Sequence, residues 1–145
     1  MRKNSYLCVT NPNKLMRTYL IDFLASKGAS SIDFKDERVS FTLNGLNYIF
    51  VHDNSDKYYF RLILPNIYTI TDDKEDKSRC LDIINELNRD FKVAKTFVID
   101  NRIWVSVEQF AYSNENISLL FERCIYLLER IIRQFRDNLK GGSND

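Results

Sequence analysis

Residues 39–51 read VSFTLNGLNYIFV, an alternating run and a largely apolar run joined by Asn44-Gly45. Asn-Gly is a strong signal for the two-residue turn of a β-hairpin, because both positions of that turn need a positive φ. The alternation in VSFTL has the period of a strand with one buried face. This stretch therefore predicts two antiparallel strands, at residues 39–43 and 46–51.

The pattern of strands continues on both sides of this hairpin. Residues 53–56 read DNSD and predict the next turn, and Tyr58–Leu64 predicts a third strand. Pro65 is expected to end that strand, since proline cannot donate to a strand ladder. Residues 32–34 add a possible short strand in front. Consecutive strands joined by short turns predict an antiparallel meander.

Two helices flank the meander. Asn11 as N-cap and Pro12 at the first helical position predict the start of the first helix, which ends at Lys27-Gly28. The polar, acidic residues 71–76 predict the start of the second helix. Its predicted inner face consists of Cys80, Leu81, Ile84, Leu87, Asn88 and Phe91.

The C-terminal part predicts a hairpin and a long helix. Residues 92–110 form the hairpin, which turns at Asp100-Asn101-Arg102. The third helix starts near Asn114 or Asn116, runs to about Leu139, and is apolar on one side. The whole is expected to be a single α+β domain over residues 1–140, with the order α-βββ-α-ββ-α, an antiparallel sheet packed with helices, and a disordered polar tail at residues 141–145.

The composition is that of a soluble globular protein. The chain has 145 residues, a net charge of +1, 44% hydrophobic and 28% charged residues. A net charge this small produces no long-range electrostatic field that would attract nucleic acid or an anionic membrane. No apolar run approaches a membrane span or a signal peptide, so we expect a cytoplasmic protein. Three widely spaced cysteines, Cys8, Cys80 and Cys124, predict neither a disulfide framework nor a zinc site.

The strand alternation sorts side chains between two faces of the sheet. Phe41, Leu43, Phe60, Leu62 and Leu64 are predicted to point towards the helices. The opposite face is predicted to be partly polar but to carry Tyr59, Ile63 and Trp104, which we take as candidate protein-interaction residues. Either Ile49 and Val51 or Tyr48 and Phe50 belong there too, depending on register. The alternative is that the third helix or the N-terminal segment covers this face.

The loop length of the second hairpin decides how apolar that outer face is. A three-residue loop would place Phe97 and Ile99 inside with Ile103 and Val105. A two-residue loop would place them outside, beside Trp104.

No pattern in the sequence predicts catalysis or cofactor binding. His52 is the only histidine, and we interpret it as a solvent-facing residue at a strand end. The acidic clusters at residues 33–37, 53–56 and 72–76 lack the ligand register of a calcium loop and are explained by turns and by helix N-terminal charge. On the third helix, Arg123, Arg130 and other bases alternate with acids, which is typical of a solvated face. We therefore expect no catalytic, cofactor or metal residues and no nucleic-acid partner.

Three segments resemble the YbjN family of small bacterial proteins, which are described as sensory-transduction regulators. They are FRLILP at residues 60–65, INELN at 84–88 and AKTFVID at 94–100, and the resemblance spans about residues 12–138. It implies a fold similar to type III secretion chaperones, α-βββ-α-ββ-α, without established enzymatic activity. In those chaperones the helices and sheet support dimers that hold extended partner segments. Asn85 and Asn88 would mark fold positions.

Two functions remain open from the sequence. The first is a non-enzymatic protein-interaction module, chaperone-like or regulatory, whose partner is another protein or a second copy in a homodimer. The alternative is a small-ligand-binding domain with a pocket between sheet and helices.

Overall fold

The computed structural model describes residues 12–53 and 55–141, and of residues 12–15 only the backbone. The predicted N-cap Asn11, Cys8 and residues 142–145 of the predicted tail lie outside these ranges. The elements in chain order are α1 (Pro12–Lys27), β1 (Ser30–Lys35), β2 (Arg38–Leu43), β3 (Leu46–Asp53), β4 (Asp56–Thr69), α2 (Lys74–Asp90), β5 (Ala94–Ile99), β6 (Arg102–Phe110) and α3 (Ile117–Gly141). The prediction of a single α+β domain is confirmed.

The strands form one six-stranded sheet in the order β1-β2-β3-β4-β6-β5, and every neighbouring pair is antiparallel. The possible short strand at residues 32–34 is present as part of β1, an edge strand whose residues are all exposed. The observed order is therefore α-ββββ-α-ββ-α, with one more strand between the first two helices than in the predicted order α-βββ-α-ββ-α.

The described helices all pack on one face of the sheet. Their buried residues form a single hydrophobic cluster with the inward side chains of the strands. The five residues predicted to point towards the helices are all buried in that cluster: Phe41, Leu43, Phe60, Leu62 and Leu64. Leu81 was wrongly placed on the inner face of α2, because it is 45% exposed and Ile83 is buried instead.

Two tight turns fix the register of the hairpins. Asn44 and Gly45 have φ of 52° and 77°, and Asp100 and Asn101 have φ of 50° and 62°. Positive φ at both central residues is the type I′ geometry that two-residue hairpins prefer. Because Ile99 pairs with Arg102, the second hairpin has the two-residue loop, and Phe97 lies opposite Trp104.

Pro65 does not end a strand, contrary to the prediction. β4 continues through it to Thr69, and the pairing with β6 shifts between Leu64, opposite Val105, and Tyr68, opposite Ile103. Four steps along β4 thus match two along β6, so the missing N–H of Pro65 falls within a bulge where the ladder is interrupted. Asn66, with φ of 47°, provides the bend.

The exposed edge of β5 is capped by a side chain of α2. Asn88 donates from its amide nitrogen to the carbonyl oxygen of Thr96 at 3.0 Å and accepts from the Thr96 N–H at 2.8 Å. These two bonds occupy the backbone groups of an edge residue that would otherwise be open to strand pairing.

Candidate functional site

The face of the sheet opposite the helices, called the outer face here, has no buried helix residue packed on it within the described ranges. A row of outward residues crosses five strands through direct pairing: Ser40, Ile49, Ile63, Ser106 and Lys95. Ile63 is the only buried apolar residue of the described chain that lies outside the core cluster. Ile49 and Val51 point outward and Tyr48 and Phe50 inward, which settles the register left open by the sequence.

The three candidate interaction residues all lie on the outer face, but they differ in exposure. Ile63 is only 5% exposed, so it forms part of the floor of the face and offers little contact area. Tyr59 and Trp104 are half-buried. The Trp104 ring lies 6.4 Å from that of Phe97, and its indole N–H is buried without a hydrogen-bond partner in the described residues.

An exposed aromatic cluster extends this face at one end of the sheet. Tyr59 lies 5.9 Å from Phe110, Phe110 stacks on Tyr112 at 6.0 Å, and Tyr112 lies 5.0 Å from Tyr58 between ring centroids. Phe110 is 56% and Tyr112 is 73% exposed. These two residues were not predicted from the sequence, although alternation continued from Glu108 would have placed Phe110 outward.

The charges on the outer face carry both signs and sit close together. Glu108 accepts from Lys95 at 2.5 Å and lies 3.5 Å from the guanidinium of Arg61. Each of these side chains is partly exposed, so the pairs are open to water and to a partner.

A cleft lies on the helical side, between α3, the C-terminal end of α2 and the loop that follows it. Its volume is about 830 Å³. Leu87, Phe91, Leu120, Cys124 and Leu127 contribute apolar surface, and Lys92, Arg123 and Arg130 contribute positive charge. We call this the helix cleft. From the sequence, a pocket between sheet and helices was only part of the alternative function, and its place was not predicted.

His52 is buried, contrary to its interpretation as a solvent-facing residue. It is 5% exposed, because β3 turns it inward beside Phe50 and because Arg17 of α1 lies over it. The Arg17 guanidinium donates to Nε2 at 2.8 Å, and the proton-bearing Nδ1 has no partner in the described residues. Burial, and secondarily Arg17, lower the pKa of His52. A neutral, enclosed imidazole of this kind is a structural group.

The acidic segment before α2 is also structural. Asp73 caps the helix by accepting from the N–H of Glu75 at 3.0 Å, as the predicted helix start requires. Asp76 is 7% exposed and accepts from the Thr71 N–H at 2.8 Å, from the hydroxyls of Thr71 and Tyr68, and from Arg79. These bonds, first of all the backbone one from Thr71, lower the pKa of Asp76. Both oxygens of the Asp76 carboxylate therefore accept hydrogen bonds from within the fold.

Two cysteines of the described chain are buried and unreactive. Burial raises the pKa of Cys80 and of Cys124 to about 11. A neutral thiol is a poor nucleophile and a poor metal ligand. Within residues 12–53 and 55–141, no group of three or more histidine, cysteine or acidic side chains is arranged to hold a metal ion. Nor, in those residues, does any helix combine the length and apolar character needed to cross a membrane.

Comparisons with known proteins returned no match to any family model, curated protein or solved structure.

Proposed function

We propose that this chain is a non-enzymatic protein-interaction module, chaperone-like or regulatory, that works as a cytoplasmic homodimer joined through the outer face. The observation that carries the proposal is the exposed aromatic cluster, which continues a sheet face left uncovered by the described helices. The resemblance to the YbjN family, with its dimeric chaperone-like relatives, supports the same kind of function.

Exposed aromatic rings are costly in water and valuable in an interface. Phe110 and Tyr112 each expose more than half of their surface. Tyrosine and tryptophan dominate interface hot spots because they bury a large area and keep a polar group for hydrogen bonding.

A second copy of the chain is the occupant that the charges favour. A twofold interface brings one surface patch against itself, so it tolerates charge only when both signs are present. The outer face meets this condition, since Arg61 and Lys95 surround Glu108 within 3.5 Å. Rotation about a twofold axis would bring the cations of one copy towards the glutamate of the other.

The test is the mass of the protein in solution at micromolar concentration, measured by sedimentation equilibrium. We expect the wild-type chain to be a dimer and Phe110→Asp to be a folded monomer with an unchanged far-UV circular dichroism spectrum. Leu119→Asp is the matched control, because Leu119 is an apolar residue on α3 that is 55% exposed, close to the 56% of Phe110. It is expected to remain a dimer. A wild-type chain that is monomeric throughout would contradict the homodimer.

A second candidate function is small-ligand binding, and the helix cleft favours it. Small-molecule sites typically occupy about 300–1,000 Å³ and combine apolar walls with a few polar groups. The cleft, at about 830 Å³, has this size and composition. A thermal-shift screen of metabolites tests it, since a ligand bound to the native state raises the melting temperature.

A further inference from the structure

The charges of α3 are sorted between its two flanks. Glu122 pairs with Lys27 of α1 at 2.8 Å, and Glu129 accepts from Asn44 of the β2–β3 turn at 2.8 Å. Both acids are thereby held on the flank that faces α1 and β2. Arg123 and Arg130 lie on the other flank and line the helix cleft. The alternation of bases and acids in the sequence thus becomes a separation of charge in the fold.

The cations of the cleft make no ion pair with the part of the chain that the structure describes. Within the described residues, no carboxylate lies within ion-pair distance of Lys92, Arg123 or Arg130. Of the two acids that line the cleft, Asp90 is paired with Arg89 at 2.8 Å. The other acid, Glu86, lies in no ion pair of the described residues, so three cations face one unpaired carboxylate and the cleft keeps an excess of positive charge.

Arg130 is positioned by aromatic rings. Its guanidinium lies 5.5 Å from the ring centre of Phe91 and 5.9 Å from that of Tyr126. Cation–π contacts hold the group without using its hydrogen-bond donors. Five N–H donors thus stay available for a planar anion such as a carboxylate.

The floor of the cleft is apolar, and its mouth is strained. Leu87 and Cys124 are buried at the bottom, and Leu120 and Leu127 are partly exposed above them. Val93 lines the mouth with φ of 56° and 59% of its surface exposed. Positive φ is rare for a β-branched residue, and such strain concentrates at binding sites.

We propose that the helix cleft binds a small aliphatic carboxylate, with its hydrocarbon chain along the apolar floor and its anionic head at Arg123 and Arg130. The two arginines supply the charge and the forked donors that a carboxylate accepts, and the partly exposed Phe91, Leu120 and Leu127 supply the surface for the chain. The cleft is of small-molecule size. This site deepens the second candidate function and shares no residue with the outer face, so it stands or falls independently of the homodimer.

The experiment is a calorimetric titration of the full chain with dodecanoate, below its micelle-forming concentration. Dodecyltrimethylammonium, with the same chain and the opposite charge, is the matched control ligand. We expect one dodecanoate per chain and no binding of the cation. Binding of both with similar affinity, or of neither, would overturn the proposal.

The residues are tested with two double variants on the same helix. Arg123→Gln with Arg130→Gln is expected to weaken dodecanoate binding at least tenfold. Arg133→Gln with Arg136→Gln, which removes the same charge from exposed positions of α3, is expected to leave it unchanged. If both pairs weaken binding equally, the cleft is not the site. Lys92→Gln changes a residue in the loop after α2 and so carries less risk to folding. We expect it to lower the affinity for dodecanoate by less than the double variant does. An unchanged affinity would contradict the proposal.

Discussion

The ammonium group of Lys27 lies 2.8 Å from a carboxylate oxygen of Glu122, although the two residues are 95 positions apart. This contact ties the end of α1 to the start of α3. It also turns one acid of α3 away from its neighbour Arg123, which lines the helix cleft. Glu122 and Arg123, which are adjacent in sequence and opposite in charge, therefore lie on opposite flanks of α3.

Asn88 is predicted to stabilise the edge of the sheet. Asn88→Ala leaves both backbone groups of Thr96 without partners, and because Thr96 is buried we expect a loss of about 1–3 kcal/mol in the free energy of unfolding. Urea denaturation measures it. Asn85→Ala is the control one turn earlier in α2 and should change stability by less than about 0.5 kcal/mol. Equal effects of the two substitutions would show that the bonds to Thr96 contribute nothing.

Asp76 is predicted to be the most sensitive acid of the described chain. Asp76→Ala removes the acceptor for the Thr71 N–H and for the Tyr68 hydroxyl, and it leaves Arg79 without its partner. We expect a loss of about 3 kcal/mol in the free energy of unfolding, since hydrogen bonds to a charged group are worth more than neutral ones. Asp72→Ala, at an exposed position before the same helix, serves as the control. A loss below about 1 kcal/mol for Asp76→Ala would contradict the anchoring role.

The stability of the fold is predicted to fall in mild acid because of His52. The pKa of the folded histidine is below its usual 6.5, so the unfolded chain binds more protons between the two values. The contribution of neutral His52 is complete above pH 6.5 and is lost as the pH falls towards the lowered pKa. Glutamine at position 52 keeps an acceptor for Arg17 but does not titrate. His52→Gln should therefore flatten the pH dependence of urea unfolding just below pH 6.5, and an unchanged slope would exclude His52 as its source.

Val93 is predicted to reduce stability through its backbone. Left-handed backbone costs a β-branched residue about 1–2 kcal/mol, whereas asparagine adopts it readily. Val93→Asn should therefore raise the free energy of unfolding by about 1 kcal/mol in a denaturant titration. A less stable variant would mean that the valine side chain makes apolar contacts worth more than the strain.

The parts of the fold set by local chemistry were predictable from the sequence. Asn44-Gly45 fixed one hairpin, and Lys27-Gly28 marked the end of α1, where Gly28 has φ of 72°. The end of β4 was predicted wrongly, because whether Pro65 stops a strand depends on a bulge relative to β6, and sequence alone does not show the partner strand. His52 was misplaced for a similar reason, since Arg17 of a distant helix covers it.

The candidate surfaces were predictable to different degrees. Alternation placed Tyr59 and Trp104 on the same face before any contact was known, although it gave no measure of how deeply Ile63 is buried. The helix cleft was not locatable, because its position depends on how α2 and the following loop pack beside α3, and its charge on which acids of α3 are drawn to other elements. That information lies in contacts such as Lys27 with Glu122, far apart in sequence.

Trp104 provides the most direct test of the central claim that two copies meet through the outer face. It is the only tryptophan in the chain and lies on that face, so the tryptophan fluorescence of the protein reports on the surroundings of the outer face. The measurement is emission and acrylamide quenching over a dilution series of the wild-type chain and of Phe110→Asp. We predict that wild-type emission shifts to the red and becomes more quenchable on dilution, while the variant is red-shifted and quenchable at every concentration. An interface at the outer face would be contradicted if the emission and quenching of the wild-type chain did not change with concentration and equalled those of the variant.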